Sequence, residues 1–205
     1  MSMWHHFKPA ARRRGAIAVA ALLALLAGGR AAAQSPTRTP VATEPPAMPT
    51  IWSGDQPPIG LSGGAESVDA LLDRFLAAVK AGDFKALQQL RVSETEYTHI
   101  IVPGEVAKGQ PPRQTFKKVN DVFFGLLDTR SQYAAQAIVG AFKDKEFARR
   151  EVRMTDPARE YAWYTAIGEV RILLTQADGR QSELRTGWIA EVDGRYKFIG
   201  FNWDD

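Results

Sequence analysis

Residues 181–203 read QSELRTGWIAEVDGRYKFIGFNW. Two apolar-rich runs flank Asp193-Gly194. An Asp-Gly pair between such runs is a strong hairpin signal, because glycine accepts the positive φ of a tight turn. A second pair, Asp178-Gly179, follows the run Tyr161–Gln176. Three long antiparallel strands are therefore expected to close the chain. A two-residue turn at Asp193-Gly194 sets Trp188 opposite Ile199 and Gly187 opposite Gly200. A two-residue turn at Asp178-Gly179 sets Val170 opposite Gly187. Side-by-side glycines mark a bend or the close approach of another element.

This register sorts the strands into two faces. Tyr164, Ala166, Val170, Ile172, Ile189, Tyr196 and Phe198 share the glycine face. Trp163, Ile167, Glu169, Arg171, Leu173, Trp188, Ile199, Phe201 and Trp203 share the other. Both are too apolar for water, so one is expected to receive helices and the other a partner. The face with Glu169 and Arg171 is read as the outer one. A bulge in either hairpin would swap the assignment.

Helical patterns precede the strands. Ser67 is placed as an N-cap before Val68, Leu71, Leu72, Phe75, Leu76 and Val79, one apolar stripe at helical spacing. Gly82 ends that helix, and Asp83 caps a short one with Phe84, Leu87 and Leu90 inward. Ser93 and Glu96 have capping-box spacing. Tyr97–Val102 reads as a short strand or the tail of a helical turn. The longest helical pattern spans about Gln114 to Phe142, with Phe116, Val119, Phe123, Leu126, Leu127, Tyr133, Ala137 and Ile138 as its stripe and a possible break at Asp128–Ser131. Phe147–Met154 is a candidate first strand.

The N-terminus is of another kind. Lys8 and Arg12–Arg14 precede the apolar run Ala16–Ala27, and Ala31–Ala33 supplies a small-residue cleavage pattern before Gln34. That is the layout of a secretory signal. The apolar run is shorter than the roughly 20 residues of a spanning helix, which favours cleavage over an uncleaved anchor. Residues 1–33 hold five of the 26 basic residues and no acid, leaving 21 basic against 23 acidic, a net of −2. No basic surplus argues for nucleic acid. The chain has no cysteine, which excludes disulfides, cysteine ligands and an N-terminal lipid attachment at Cys. Residues 34–64 carry seven of the twelve prolines and read as a disordered tether, with Ile51 and Trp52 resting loosely on the domain in preference to forming a short docking motif.

The opening ESVDALLDRFLAAVKAGDFKAL and the closing GWIAEVDGRYKFIGFNW resemble the nuclear transport factor 2-like (SnoaL-like) superfamily, in an exported bacterial type, over residues 65–205. The resemblance implies an α+β fold, a cone in which helices pack in the concave side of a curved antiparallel sheet. Enzymes of that superfamily place acids, histidine or tyrosine inside the cone. After removal of the signal only His99 remains among histidines, too few for a histidine metal cluster.

The reading is therefore an exported, periplasmic or secreted domain that binds a small apolar ligand or a protein without catalysis or cofactor. Tyr164, Ile189, Tyr196, Phe198 and Asn202 are its candidate pocket liners. Trp188, Phe201 and Trp203 are its candidate homodimer interface. No metal site and no membrane span after signal cleavage are expected. The alternative is a cofactor-free isomerase, dehydratase or hydrolase using His99 and Tyr97. N-terminal sequencing of the exported protein should begin at Gln34; full-length chain retained in membranes would contradict the signal.

Overall fold

The structure, a computed structural model, describes residues 50–203. The signal, its cleavage and the first half of the tether lie outside the described residues. Helices come first: α1 (Val68–Ala81), α2 (Phe84–Gln89), α3 (Glu94–Glu96), a π-helical turn (Tyr97–Ile101), α4 (Val102–Gly104) and α5 (Lys117–Phe142). Five strands follow: β1 (Phe147–Met154), β2 (Arg159–Glu160), β3 (Thr165–Gln176), β4 (Gln181–Val192) and β5 (Arg195–Phe198). They form one curved antiparallel sheet in the order β1-β3-β4-β5, with β2 paired to β3. The class is α+β. Among the described residues no helix is long and apolar enough to cross a membrane.

The helix ends follow the sequence signals. Ser67 accepts from Ala70 N at 3.0 Å and Asp83 from Ala86 N at 2.9 Å. Gly82 closes α1 in the left-handed conformation, at φ 64°. The Ser93–Glu96 capping box is complete, at 3.2 and 2.7 Å. The expected break at Asp128–Ser131 is absent, and α5 runs unbroken for 26 residues. There Ser131, fully buried, accepts a hydrogen bond from Phe201 N at 3.0 Å.

The β4–β5 turn is the expected two-residue one: Asp193 and Gly194 both have positive φ, 49° and 71°, as a type I′ turn requires. The Asp178-Gly179 turn differs. Gln176 N donates to Arg180 O, so the loop holds three residues, Ala177–Gly179, with Gly179 at φ 81°. The extra residue moves most of the β3–β4 register by one, pairing Ala166 with Ala190 and Ile172 with Leu184. Irregularities on both sides of Val170 restore the expected Val170–Gly187 pair locally. Gly187 has φ 103°, and a Cβ there would run into the carbonyl oxygen of Gly200. The glycine contact expected from the sequence is thus real backbone crowding.

These bulges split the predicted glycine face. Val170, Ile172, Leu174, Leu184, Ile189 and Phe198 join α1, α2 and α5 in the main core. Tyr164 and Ala166 go instead with Ala190, Val192, Ile100 and Ile101 into a second cluster, on which Trp188 and Ile199 pack. Adjacent pairs Ile189–Phe198 and Ala190–Lys197 point to opposite sides of the sheet.

Residues 50–64 correct the expected tether. Thr50 and Thr115 exchange backbone hydrogen bonds at 2.7 and 3.3 Å. Trp52 Nε1 donates to Thr115 Oγ1, and Leu61 is buried. Tethers stay loose when they have nothing to bury; here an indole and a leucine do.

One ion pair joins this segment to the rest. The Glu96 carboxylate accepts from Lys197 Nζ at 2.9 and 3.1 Å, from Ser62 N at 2.6 Å and from Ser93 N at 2.7 Å. The Glu96 and Lys197 side chains are only 3% and 6% exposed. Removing one member of a buried pair leaves an uncompensated charge and costs about 3–5 kcal/mol. Lys197→Met should lower the urea-unfolding free energy by that much, and Glu96→Gln/Lys197→Met by clearly less. Equal losses would show that packing, not the orphaned charge, sets the cost.

Candidate functional site

Two concavities flank the π-helical turn. In such a turn the carbonyl of residue i bonds the N–H of i+5, as Tyr97 O does with Val102 N. This is the helical one of the two expected conformations, continuing α3 and wound as a π turn. A strand would put Tyr97 and His99 on one face, but the turn sends them to different concavities.

His99 lines a groove of about 370 Å³ beside Trp52, Thr115, Lys117 and Asn120. Its Nδ1 lies 2.8 Å from Thr95 O, and its ring meets the Trp52 ring edge-on at 5.1 Å. Asn120 is buried, and its Nδ2 has no hydrogen-bond partner.

The second concavity, about 410 Å³, lies between the second cluster's side of the sheet and the π-helical turn. Tyr164, Ala166, Trp188 and Ile199 line it from β3, β4 and their neighbours; Tyr97, Ile101 and Val102 line it from the helical side. Leu127 of α5 and Gly200 close one end. A Cβ at Gly200 would come within 2.7 Å of Leu127 Cδ1, so glycine lets the helix and the chain end meet here. Tyr161 stacks on Tyr164, with ring centroids 4.8 Å apart.

The polar groups are Glu105, Arg159, Asn202 and the phenols of Tyr97, Tyr161 and Tyr164. Glu105 lies 3.7 Å from Arg113, whose Nη2 also donates to the Glu105 carbonyl at 3.0 Å. Arg159 lies over the Trp188 ring, 4.8 Å from its centroid, a cation–π arrangement. Among the described residues no carboxylate pairs with Arg159. Asn202 is exposed at the rim. Burial pushes the Tyr164 phenol far above the ordinary tyrosine range, and the negative charge of Glu105 adds to the effect. Tyr97 is raised by the same two causes in the same order. Among the described residues no three His, Cys, Asp or Glu come together.

Of the expected pocket liners, Tyr164 and Asn202 are at this cavity. Ile189 and Phe198 are fully buried in the main core, and Tyr196 packs on its edge. The one-residue register shift moved Tyr164 and Ile189 to different sides. The expected outer cluster of Trp188, Phe201 and Trp203 does not form. Trp188 lines the cavity. Phe201 is 2% exposed, between Phe75 and Phe198 at 5.4 and 5.2 Å. Trp203 packs against Phe142 at 6.4 Å. The cause is local: β5 ends at Phe198, and strand alternation does not carry through Gly200. Sequence reading missed Glu105, Tyr161 and Arg159, which stand in or beside irregular connections where no periodicity marks them.

The raised phenols give a pH signature. The folded chain holds these protons above the ordinary tyrosine value of about 10. The stability involved is complete below about pH 10. It is lost as pH rises from there toward the raised values, because the unfolded chain ionises first. Tyrosinate absorbance should show a late step that Tyr97→Phe/Tyr164→Phe removes. Wild-type stability should fall more steeply above pH 10 than that of the double variant. An unchanged late step would contradict the assignment.

Compared with protein-family models, curated proteins and solved structures, the chain matches none.

Proposed function

We propose that this is an exported, non-catalytic binding domain, a cone of the nuclear transport factor 2-like type, and that it takes a small apolar ligand between the sheet and the π-helical turn. One observation carries the reading: a cavity of about 410 Å³ walled by Tyr97, Tyr161, Tyr164 and Trp188 together with Ile101, Val102, Leu127 and Ile199, with Glu105, Arg159 and Asn202 as its charged and amide groups. Largely apolar walls with a small number of placed polar groups are what small-molecule sites present. Arg159, stacked on Trp188 and without a carboxylate partner among the described residues, favours a ligand with an anionic end and an aromatic or aliphatic body.

The catalytic alternative has less support. It needs His99 and Tyr97 at one substrate, yet they line different concavities. A base must lie within hydrogen-bond reach of the proton it takes. Glu105, the acid beside the cavity, is engaged with Arg113, and the Tyr97 and Tyr164 phenols are held in the protonated form.

Anilinonaphthalene sulfonate, an aromatic body with one anionic group, is a suitable probe. It should bind one site per chain with enhanced fluorescence. Trp188→Ala should weaken binding by about tenfold or more, equivalent to about 1.4 kcal/mol, and Arg159→Gln by less. Ile51→Ser, an exposed site away from the cavity, should change nothing. Absence of binding, or Trp188→Ala binding as tightly as wild type, would overturn the assignment.

A further inference from the structure

Among the described residues, exposed large apolar side chains concentrate elsewhere, on α5. Surface helices normally turn polar residues outward. Over residues 117–133, α5 does the reverse. It buries Asn120 and Ser131, while Phe116 just ahead of it and Val119, Val122, Phe123, Leu126 and Tyr133 within it are exposed. They make up six of the nine exposed large apolar side chains of the described residues. Such a concentration is not the scatter of single apolar residues that ordinary surfaces tolerate.

Two properties identify the occupant. The first is spacing. Phe116, Val119, Phe123, Leu126 and Tyr133 are three, four, three and seven residues apart, which is the a/d pattern of a coiled-coil seam. Arg130 takes the skipped position, where its long stem can lie along a neighbour with the guanidinium in water. A seam of this kind is complementary to another helix carrying the same pattern. The second is area. At 45–67% exposure, the six side chains offer on the order of 700 Å², close to the roughly 800 Å² per partner of a standard stable interface.

We infer that the chain forms a homodimer in which two copies of α5 pack antiparallel about a two-fold axis near Phe123 and Leu126. A two-fold contact uses the same patch on both subunits, so one seam suffices. The antiparallel sense keeps apart the two helix N-termini, each positive by its dipole. It sets Phe116 against the partner's Tyr133. The seam borders a neighbouring concavity that Phe116, Val119 and Phe123 share with Tyr97, Val102 and Glu105, but it uses neither Trp188 nor Arg159 nor the sheet face expected from the sequence, so the two proposals are tested by different variants. One other occupant is near at hand. Thr50 pairs with Thr115 beside Phe116, so the chain ahead of Thr50 starts at one end of the seam.

The chain has no cysteine, so introduced thiols report unambiguously. Sedimentation of the full chain at about 100 μM should give a dimer, and Leu126→Glu should weaken it at least 100-fold without lowering the melting temperature of the monomer. Leu126→Cys, close to the axis, should cross-link to its own copy under mild oxidation. Phe116→Cys alone should not, since the two copies would sit roughly 26 Å apart along the helices, far beyond disulfide reach. Mixing Phe116→Cys with Tyr133→Cys should give a mixed disulfide. A monomeric full chain overturns the proposal, and if it dimerises only after residues 1–49 are removed, the occupant is the chain's own N-terminal segment. Association that Leu126→Glu leaves intact also overturns it, as does ready cross-linking of Phe116→Cys with itself.

Discussion

The buried contact between Glu96 and Lys197 is the constraint on which the other parts converge. Glu96 sits where α3 passes into the π-helical turn, Lys197 lies on β5, and Ser62 belongs to the segment ahead of α1. One carboxylate therefore holds together a helix start, a strand and an incoming chain. Two charges out of water are tolerable only because each oxygen is met by more than one donor. The pair also has a directional effect that apolar packing lacks. It sets the rotation of the π-helical turn against the sheet, and that rotation decides that Tyr97 faces the cavity and His99 the groove.

A second buried cation performs a similar task less completely. Arg91, fully buried, bonds Asp128 and Gln88 at 2.9 Å and lies over Phe201 at 5.8 Å. Its Nε and Nη2 have no partner. It links α5 to the segment beside β5, where Val92 N and Phe198 N bond across to Phe198 O and Leu90 O. Polar anchors thus tie the helices to β5 and the segment beside it, and the cavity lies among the elements they connect.

Much of this was legible in the sequence. Caps at Ser67, Asp83 and Ser93, the stripe of α1 and the Asp193-Gly194 turn are local signals, each with a local cause. Three features were not. A three-residue loop and a two-residue loop look alike at Ala177-Asp178-Gly179, and that single residue exchanges the sides of Tyr164 and Ile189. The stripe of α5 was visible, but its direction was not. Periodicity says that residues share a face, not whether that face meets the chain's own core: of the expected stripe Ile138 is buried there, while Phe116, Val119, Phe123, Leu126 and Tyr133 are exposed. Phe201 reads as the next residue of a strand, yet Gly200 ends the alternation where α5 crosses. Arg159 and Glu105 carry no pattern at all, because a two-residue strand is too short to show a period and irregular backbone imposes none.

The entry of the chain at Thr50 has a mechanical consequence. A pull applied ahead of Thr50 is borne first by its two backbone hydrogen bonds to Thr115 and by the Trp52 indole wedged beside His99 and Trp163. Only after these yield does load reach Leu61, Ser62 and then the Ala65–Tyr196 bridge to the sheet. The segment 50–64 therefore acts as a strain relief in series with the fold. It lengthens under tension by unpeeling a few contacts one after another, while the sheet and its cavity stay unloaded.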